Sequence, residues 1–185
     1  MQLLSFRPRR TALALTSIRE VVFGVEDGVV QNMTLIAGMV GAAVSNSVVI
    51  LAGSVNAIAG VVSMSMGTYL SSQAERDAAI AAGATPEHGD RSPLFDATVM
   101  AVAYALGAAV PLLAFTVPGL DRRGAMAVAI GLTAVALFAL GATKAIACGQ
   151  RRVRAGMQLL TLSAAAGTIG YLVGVAAQSI FQIEV

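Results

Sequence analysis

The chain has 185 residues, of which 57% are hydrophobic and only 12% charged, with a formal net charge of +2 at pH 7. Soluble domains carry about 25% charged and about 45–50% apolar residues, so this composition excludes an ordinary soluble protein and a disordered one. The single cysteine, Cys148, excludes an internal disulfide and a multi-cysteine metal cluster, and the small basic excess without a basic aromatic stretch argues against nucleic acid as a partner.

Residues 1–17 (MQLLSFRPRRTALALTS) carry their basic cluster late, with no cleavage site after a short apolar core. They read as a cytosolic arm and not as a signal peptide. Five apolar blocks follow, over 18–44, 47–72, 93–117, 124–148 and 155–181. Each reaches the about 20 residues that a membrane helix needs. Ser45-Asn46-Ser47 makes a tight turn between the first two, and 73–92 reads as a short polar loop. Val117-Pro118-Gly119 and Gln150-Arg151-Arg152 punctuate the later breaks. Pro111, inside the third block, is tolerated in a membrane helix as a kink. The fold expected is an all-α integral membrane protein of five spans.

Basic residues orient it. With the N-terminus in the cytosol, Arg7, Arg9, Arg10, Arg19, Arg76, Arg91, Lys144, Arg151, Arg152 and Arg154 lie at the inner face. Only Arg122 and Arg123 fall outside, so the positive-inside rule gives N-in and C-out. Five spans do not divide into two inverted halves, so a symmetric pathway would need a two-fold dimer. Gly24 with Gly28, and Gly170 with Gly174, have the spacing that permits close helix contact, a spacing also common by chance in a chain with 19 Gly.

The first span, IREVVFGVEDGVVQNMTLIAGMVGAAV, holds Glu26 and Asp27 about 13 Å from its start, near the middle of a ~30 Å hydrocarbon core. A carboxylate there costs at least about 2.5–3.5 kcal/mol, so a functional role is the default reading; hydrogen bonding to neighbouring helices is the other. Asp27, Gln31, Thr34 and Gly38 share one face at helical spacing, and Glu26 points elsewhere. In the second span Gly53, Asn56, Gly60, Met64, Gly67 and Ser71 form a face. A short hairpin turn brings Met64 to the depth of Asp27, and Asn56 near that of Thr34. Carboxylate with thioether suits a borderline transition metal better than Mg²⁺ or Ca²⁺, although a buried Met also serves as packing. Glu75, Asp77, Glu87, His88 and Asp90 are either a cation-collecting inner mouth or a solvated loop. No Ser/His/Asp or Cys/His arrangement, P-loop or HExxH motif occurs. Nothing here supports a catalytic role, so the chain does not read as an enzyme and no cofactor is expected.

The stretch RxxVFGxxDG, then LIAGMVGA, then AGxxNxIAGxxSMxMGxYLSSQAE, resembles the vacuolar iron transporter family. SPLFDATVMAVAYALGAAVPLL looks like its third span, and GATKAIACGQRRVRAGMQLLTLSAAAGTIGYLVG like its fourth and fifth. The resemblance implies a dimer that exports Fe²⁺, and often Mn²⁺, from the cytosol in exchange for protons, along a dimer-interface pathway lined by spans one and two. By motif position Asp27 matches the essential membrane aspartate and Met64 a pathway methionine. Asn56 stands where plant and protist members carry a pathway glutamate. The short 73–92 linker replaces a long acidic metal-gathering domain, as in the shortened, bacterial-type branch. The metal ligands expected are therefore Asp27, Met64 and Asn56, with Glu26, Gln31 and Glu75 as lesser candidates. The location expected is the cell's inner (plasma) membrane. A small-cation channel or carrier of other specificity, and a non-transporting membrane scaffold, are the alternatives.

Overall fold

The computed structural model describes residues 9–83 and 92–181. Among them are five α-helices and no strand: α1 (Arg9–Gly41), α2 (Asn46–Ala81), α3 (Pro93–Leu113), α4 (Arg122–Cys148) and α5 (Arg152–Phe181), with a 3₁₀ turn at Ala114–Thr116. Local chemistry sets the ends. The Ser92 hydroxyl accepts from the Leu94 amide at 3.2 Å ahead of Pro93, whose missing N–H is harmless at a helix start. Asp121 caps α4 in the same way, its Oδ1 accepting from the Gly124 amide at 3.0 Å. Gly149 ends α4 in the left-handed region at φ 66°. Pro111 falls near the end of α3, and the chain tightens into the 3₁₀ turn just after it.

Two boundaries differ from the sequence reading. α1 begins at Arg9, inside the expected arm, while residues 1–8 lie outside the described residues. α2 runs past 72 to Ala81, so the first half of the expected loop is helical. Its sequence there, QAERDAAIA, is built from strong helix formers that need no apolar face. The other half, with Glu87, His88 and Asp90, lies outside the described residues.

Helices α2, α3, α4 and α5 are each long and apolar enough to cross a membrane. α1, at 33 residues, is long enough but falls short in apolarity, against the expectation of five spans. Glu26, Asp27, Gln31 and Asn32 in its middle are the reason. Its packing compensates: α1 touches all four other helices, α3 and α5 most extensively, whereas α2 leans mainly on α3.

Small residues let α1 come close. Gly24 lies against Ala103 and Met100, and Gly28 against the Tyr104 backbone. On the α5 side a Cβ added at Gly174 would run into the Gly38 carbonyl. Both glycine pairs noted in the sequence therefore mark helix seams. Apolar packing fills the rest: Met33, Ile36, Val49, Phe115 and Ala129 join α1, α2 and α4 around the 3₁₀ turn, and Val29, Leu137 and Leu159 join α1, α4 and α5.

The α1–α2 turn is tied to the α3–α4 turn. Arg122 donates to the Ala43 carbonyl, and Asn46 Nδ2 donates to the Leu120 carbonyl at 3.3 Å. Ala43 itself sits at φ 62°, a conformation that favours glycine.

Three substitutions check this packing through thermal unfolding in detergent. Gly174→Ala is expected to destabilise the protein by about 1–3 kcal/mol, as overpacking does. Gly131→Ala, where an added Cβ meets nothing within 4 Å, is expected to be neutral or slightly stabilising. Ala43→Gly is expected to raise stability by about 1 kcal/mol by relieving the left-handed strain.

Candidate functional site

Polar side chains of α1 meet α2 and α3 in the middle of the bundle. Asn32 is fully buried, and its Nδ2 donates to the Ala108 carbonyl of α3 at 2.7 Å. Its Oδ1 accepts from Asn56 Nδ2 of α2 at 3.3 Å. One amide thus bridges three helices, which is how a buried polar group is kept without an unsatisfied donor or acceptor. The Ala108 carbonyl sits one turn ahead of Leu112, close to the kink-prone Pro111.

Tyr104 makes a second bridge. It is fully buried in α3, and its hydroxyl donates to Gln31 Oε1 on α1. The same hydroxyl lies over Gly60 of α2, in space that any Cβ at residue 60 would occupy. The Tyr104 hydroxyl is also within electrostatic reach of the Asp27 carboxylate. Asp27 is half-buried one helical turn before Gln31, on the face that continues through Thr34, whose hydroxyl satisfies itself on the Val30 carbonyl at 2.7 Å.

The expected site residues are therefore placed as follows. Asp27, Gln31 and Thr34 line one stripe of α1, with Gln31 exposed and held by Tyr104. Asn56 is half-buried and engaged with Asn32. Met64 is half-buried two turns further along α2, and Glu26 is half-buried on α1. Glu75 is exposed on the helical extension of α2 beyond residue 72. Among the described residues no group of three or more His, Cys, Asp and Glu side chains comes together to hold a metal ion. One chain by itself thus offers a sparse donor set, with Asp27 as a carboxylate and Met64 as a thioether.

Sequence reasoning missed four participants. Asn32 neighbours Gln31 but lies off its face, and its burial depends on how α3 packs. Tyr104 carries one visible signal: a phenol in the middle of an apolar span needs a hydrogen-bond partner. The other two are buried acids toward the start of α1 and of α3. Glu20 is 3% exposed and pairs with Arg19 at 3.3 Å. Asp96 is 6% exposed and accepts from the Ser72 hydroxyl of α2 at 3.1 Å.

The sequence profile of the VIT family matches residues 18–87 and 80–175. The chain belongs to the VIT family. It is 31% identical over 138 residues to vacuolar iron transporter homolog 5 of Oryza sativa subsp. japonica, covering 70% of this chain and 65% of that protein. It is 26% identical over 219 aligned positions to vacuolar iron transporter 2 of the same plant, covering 88% of each. That alignment is longer than the chain's 185 residues, so this relative carries segments that the chain lacks. A 60-residue stretch is 40% identical to vacuolar iron transporter 1 of Arabidopsis thaliana, covering 32% of this chain and 24% of that protein. These relatives are named as transporters, not enzymes. This multi-pass VIT-family protein combines a polar three-helix junction with a half-buried carboxylate, Asp27, on α1.

Asn32→Leu tests the junction. It removes the donor to Ala108 and the acceptor for Asn56, and is expected to destabilise the protein by about 2–4 kcal/mol. Thermal unfolding in detergent reads this directly, and Tyr104→Phe, which strands only Gln31, is expected to cost less.

Proposed function

We propose that this VIT-family protein carries Fe²⁺ or Mn²⁺ out of the cytosol in exchange for protons. The cell's plasma membrane is the proposed location, with α1 counted as a fifth span and the N-terminus inside. The observation that carries the reading is Asp27: a carboxylate in the middle of α1, half-buried, with no salt bridge among the described residues. Folding alone does not call for such a group in a membrane helix. The family's named iron transporters support the metal as cargo.

The ionised Asp27 supplies charge to a dehydrated cation, and Met64 supplies a polarisable sulfur that favours softer ions over Mg²⁺. One carboxylate and one thioether make too few ligands, so the site is completed by the same residues of a second copy across a two-fold axis. The exposed apolar face of α2, which includes Leu51, Val55, Ile58 and Val62, is consistent with a partner or lipid there. Cation and proton compete for the same Asp27 oxygens, so protonation from the outer side releases the metal outward. Gln31, held by Tyr104, and Asn56, held by Asn32, frame the route without adding charge. Glu75, Glu26 and the amide oxygens are auxiliary contacts.

Proteoliposomes test this. Fe²⁺ or Mn²⁺ uptake by the wild type is expected to accelerate when the compartment receiving the metal is more acidic. Asp27→Asn, of nearly the same shape, is expected to lose at least tenfold of that flux while eluting as a folded species. Undiminished gradient-driven uptake by Asp27→Asn would refute the mechanism, and metal flux indifferent to the pH gradient would indicate a channel. Met64→Leu is expected to weaken Fe²⁺ transport several-fold and to narrow the preference over Mg²⁺.

A further inference from the structure

From Arg122 to Phe181, through α4, the turn after it and α5, the sequence holds no Asp or Glu. Four of its six cations gather at one end. Lys144 lies one turn before the end of α4, Arg151 in the turn, and Arg152 and Arg154 in the first turn of α5. All three arginines are exposed. Among the described residues no carboxylate pairs with their guanidinium groups. The start of a helix is its positive end and disfavours cations, so the folding of α5 does not call for arginines there.

Two of them converge. Arg151 and Arg154 line a recess of about 330 Å³ at the α4–α5 turn, together with Gln150 and Gln158. Its polar lining is therefore two guanidinium forks and two amides, with no acidic group. A guanidinium fork matches phosphate oxygens two at a time, and the amide N–H groups of Gln150 and Gln158 add donors. The chemistry is that of a phosphate site.

The surface beyond the recess selects the source of the phosphate. At 3.6 residues per turn Arg151, Arg154, Gln158, Leu162 and Ile169 share one face of α5. Leu162 is 56% exposed and Ile169 62% exposed. The face thus begins basic and continues apolar and open for about 16 Å past Gln158, the share of one leaflet in a ~30 Å hydrocarbon core. A soluble phosphate fills the recess and leaves that apolar face uncovered. A phospholipid covers both. A zwitterionic headgroup brings its own cation against three uncompensated arginines, so a net negative headgroup is favoured. We propose that the recess at the α4–α5 turn binds an anionic phospholipid, its phosphate held by Arg151 and Arg154 and an acyl chain laid along Leu162 and Ile169. The site shares no residue with Asp27 or Met64 and stands whatever ion the chain carries.

Native mass spectrometry of the full chain in detergent tests this, with phosphatidylglycerol and phosphatidylcholine of the same acyl chains titrated in turn. The wild type is expected to retain phosphatidylglycerol about tenfold more tightly than phosphatidylcholine. Arg151→Gln combined with Arg154→Gln is expected to weaken phosphatidylglycerol about tenfold and to erase the preference. Arg123→Gln, an exposed arginine at the opposite end of α4, is expected to leave both affinities unchanged. Glycerol 3-phosphate, the same phosphate chemistry without acyl chains, is expected not to displace the lipid at equal concentration. Circular dichroism and elution volume confirm that each variant is folded. Equal retention of the two lipids by the wild type, a preference that survives in the folded double variant, or displacement by equimolar glycerol 3-phosphate would each overturn the proposal. Should the double variant not fold, Arg151→Gln and Arg154→Gln taken singly are each expected to weaken phosphatidylglycerol several-fold, and an unchanged preference in both would overturn it equally.

Discussion

The fold depends on hiding a polar helix among apolar ones. α1 brings two acids and two amides to the middle of a bundle whose other helices are apolar and offer few hydrogen-bonding side chains. Its neighbours supply the partners. Asn32 reaches the Ala108 carbonyl, Asn56 reaches Asn32, and Tyr104 reaches Gln31. The arrangement puts the least apolar helix in contact with every other one and leaves the most apolar surfaces of α2 to α5 facing outward. The low apolarity of α1 and its central place are two sides of one fact.

The glycine seams and the amide bridges reinforce each other. A hydrogen bond from Asn32 to a backbone carbonyl needs α3 close enough for that carbonyl to be reached. Gly24 and Gly28 allow this approach by leaving no Cβ between the helices. Gly60 does the same for the Tyr104 hydroxyl from the α2 side. Polar specificity and small-residue packing therefore act at the same level of the bundle, and a change in either disturbs the other.

Much of this was legible in the sequence, and the misses have physical causes. Apolar blocks separated by Ser, Asn, Pro and Gly gave the helices, because block length and punctuation are local signals. The extension of α2 to Ala81 is hidden because a polar stretch between apolar blocks reads as loop, although Ala, Glu and Arg favour helix in water as well. Asp27 stood out by cost alone. The hairpin depth argument set Asn56 level with Thr34, and the structure joins it to Asn32, a fraction of a turn away. Tyr104, Asp96 and Glu20 escaped because their burial depends on how α1 and α3 are rotated against each other, which one sequence does not encode locally. Arg122 is an exception in the count of basic residues, and the structure gives it a local role, a bond to the Ala43 carbonyl that ties two turns together.

The closeness of the seams also divides the molecule mechanically. Where backbones touch at Gly28 and Gly174, α1 cannot rotate or slide against α3 or α5 without atoms overlapping. These three helices form a stiff block. α2 packs on that block mainly through α3, with the Tyr104 hydroxyl over Gly60, and is joined to α1 by a turn strained at Ala43. The long arm reaching Ala81 would magnify any tilt of α2 at its far end.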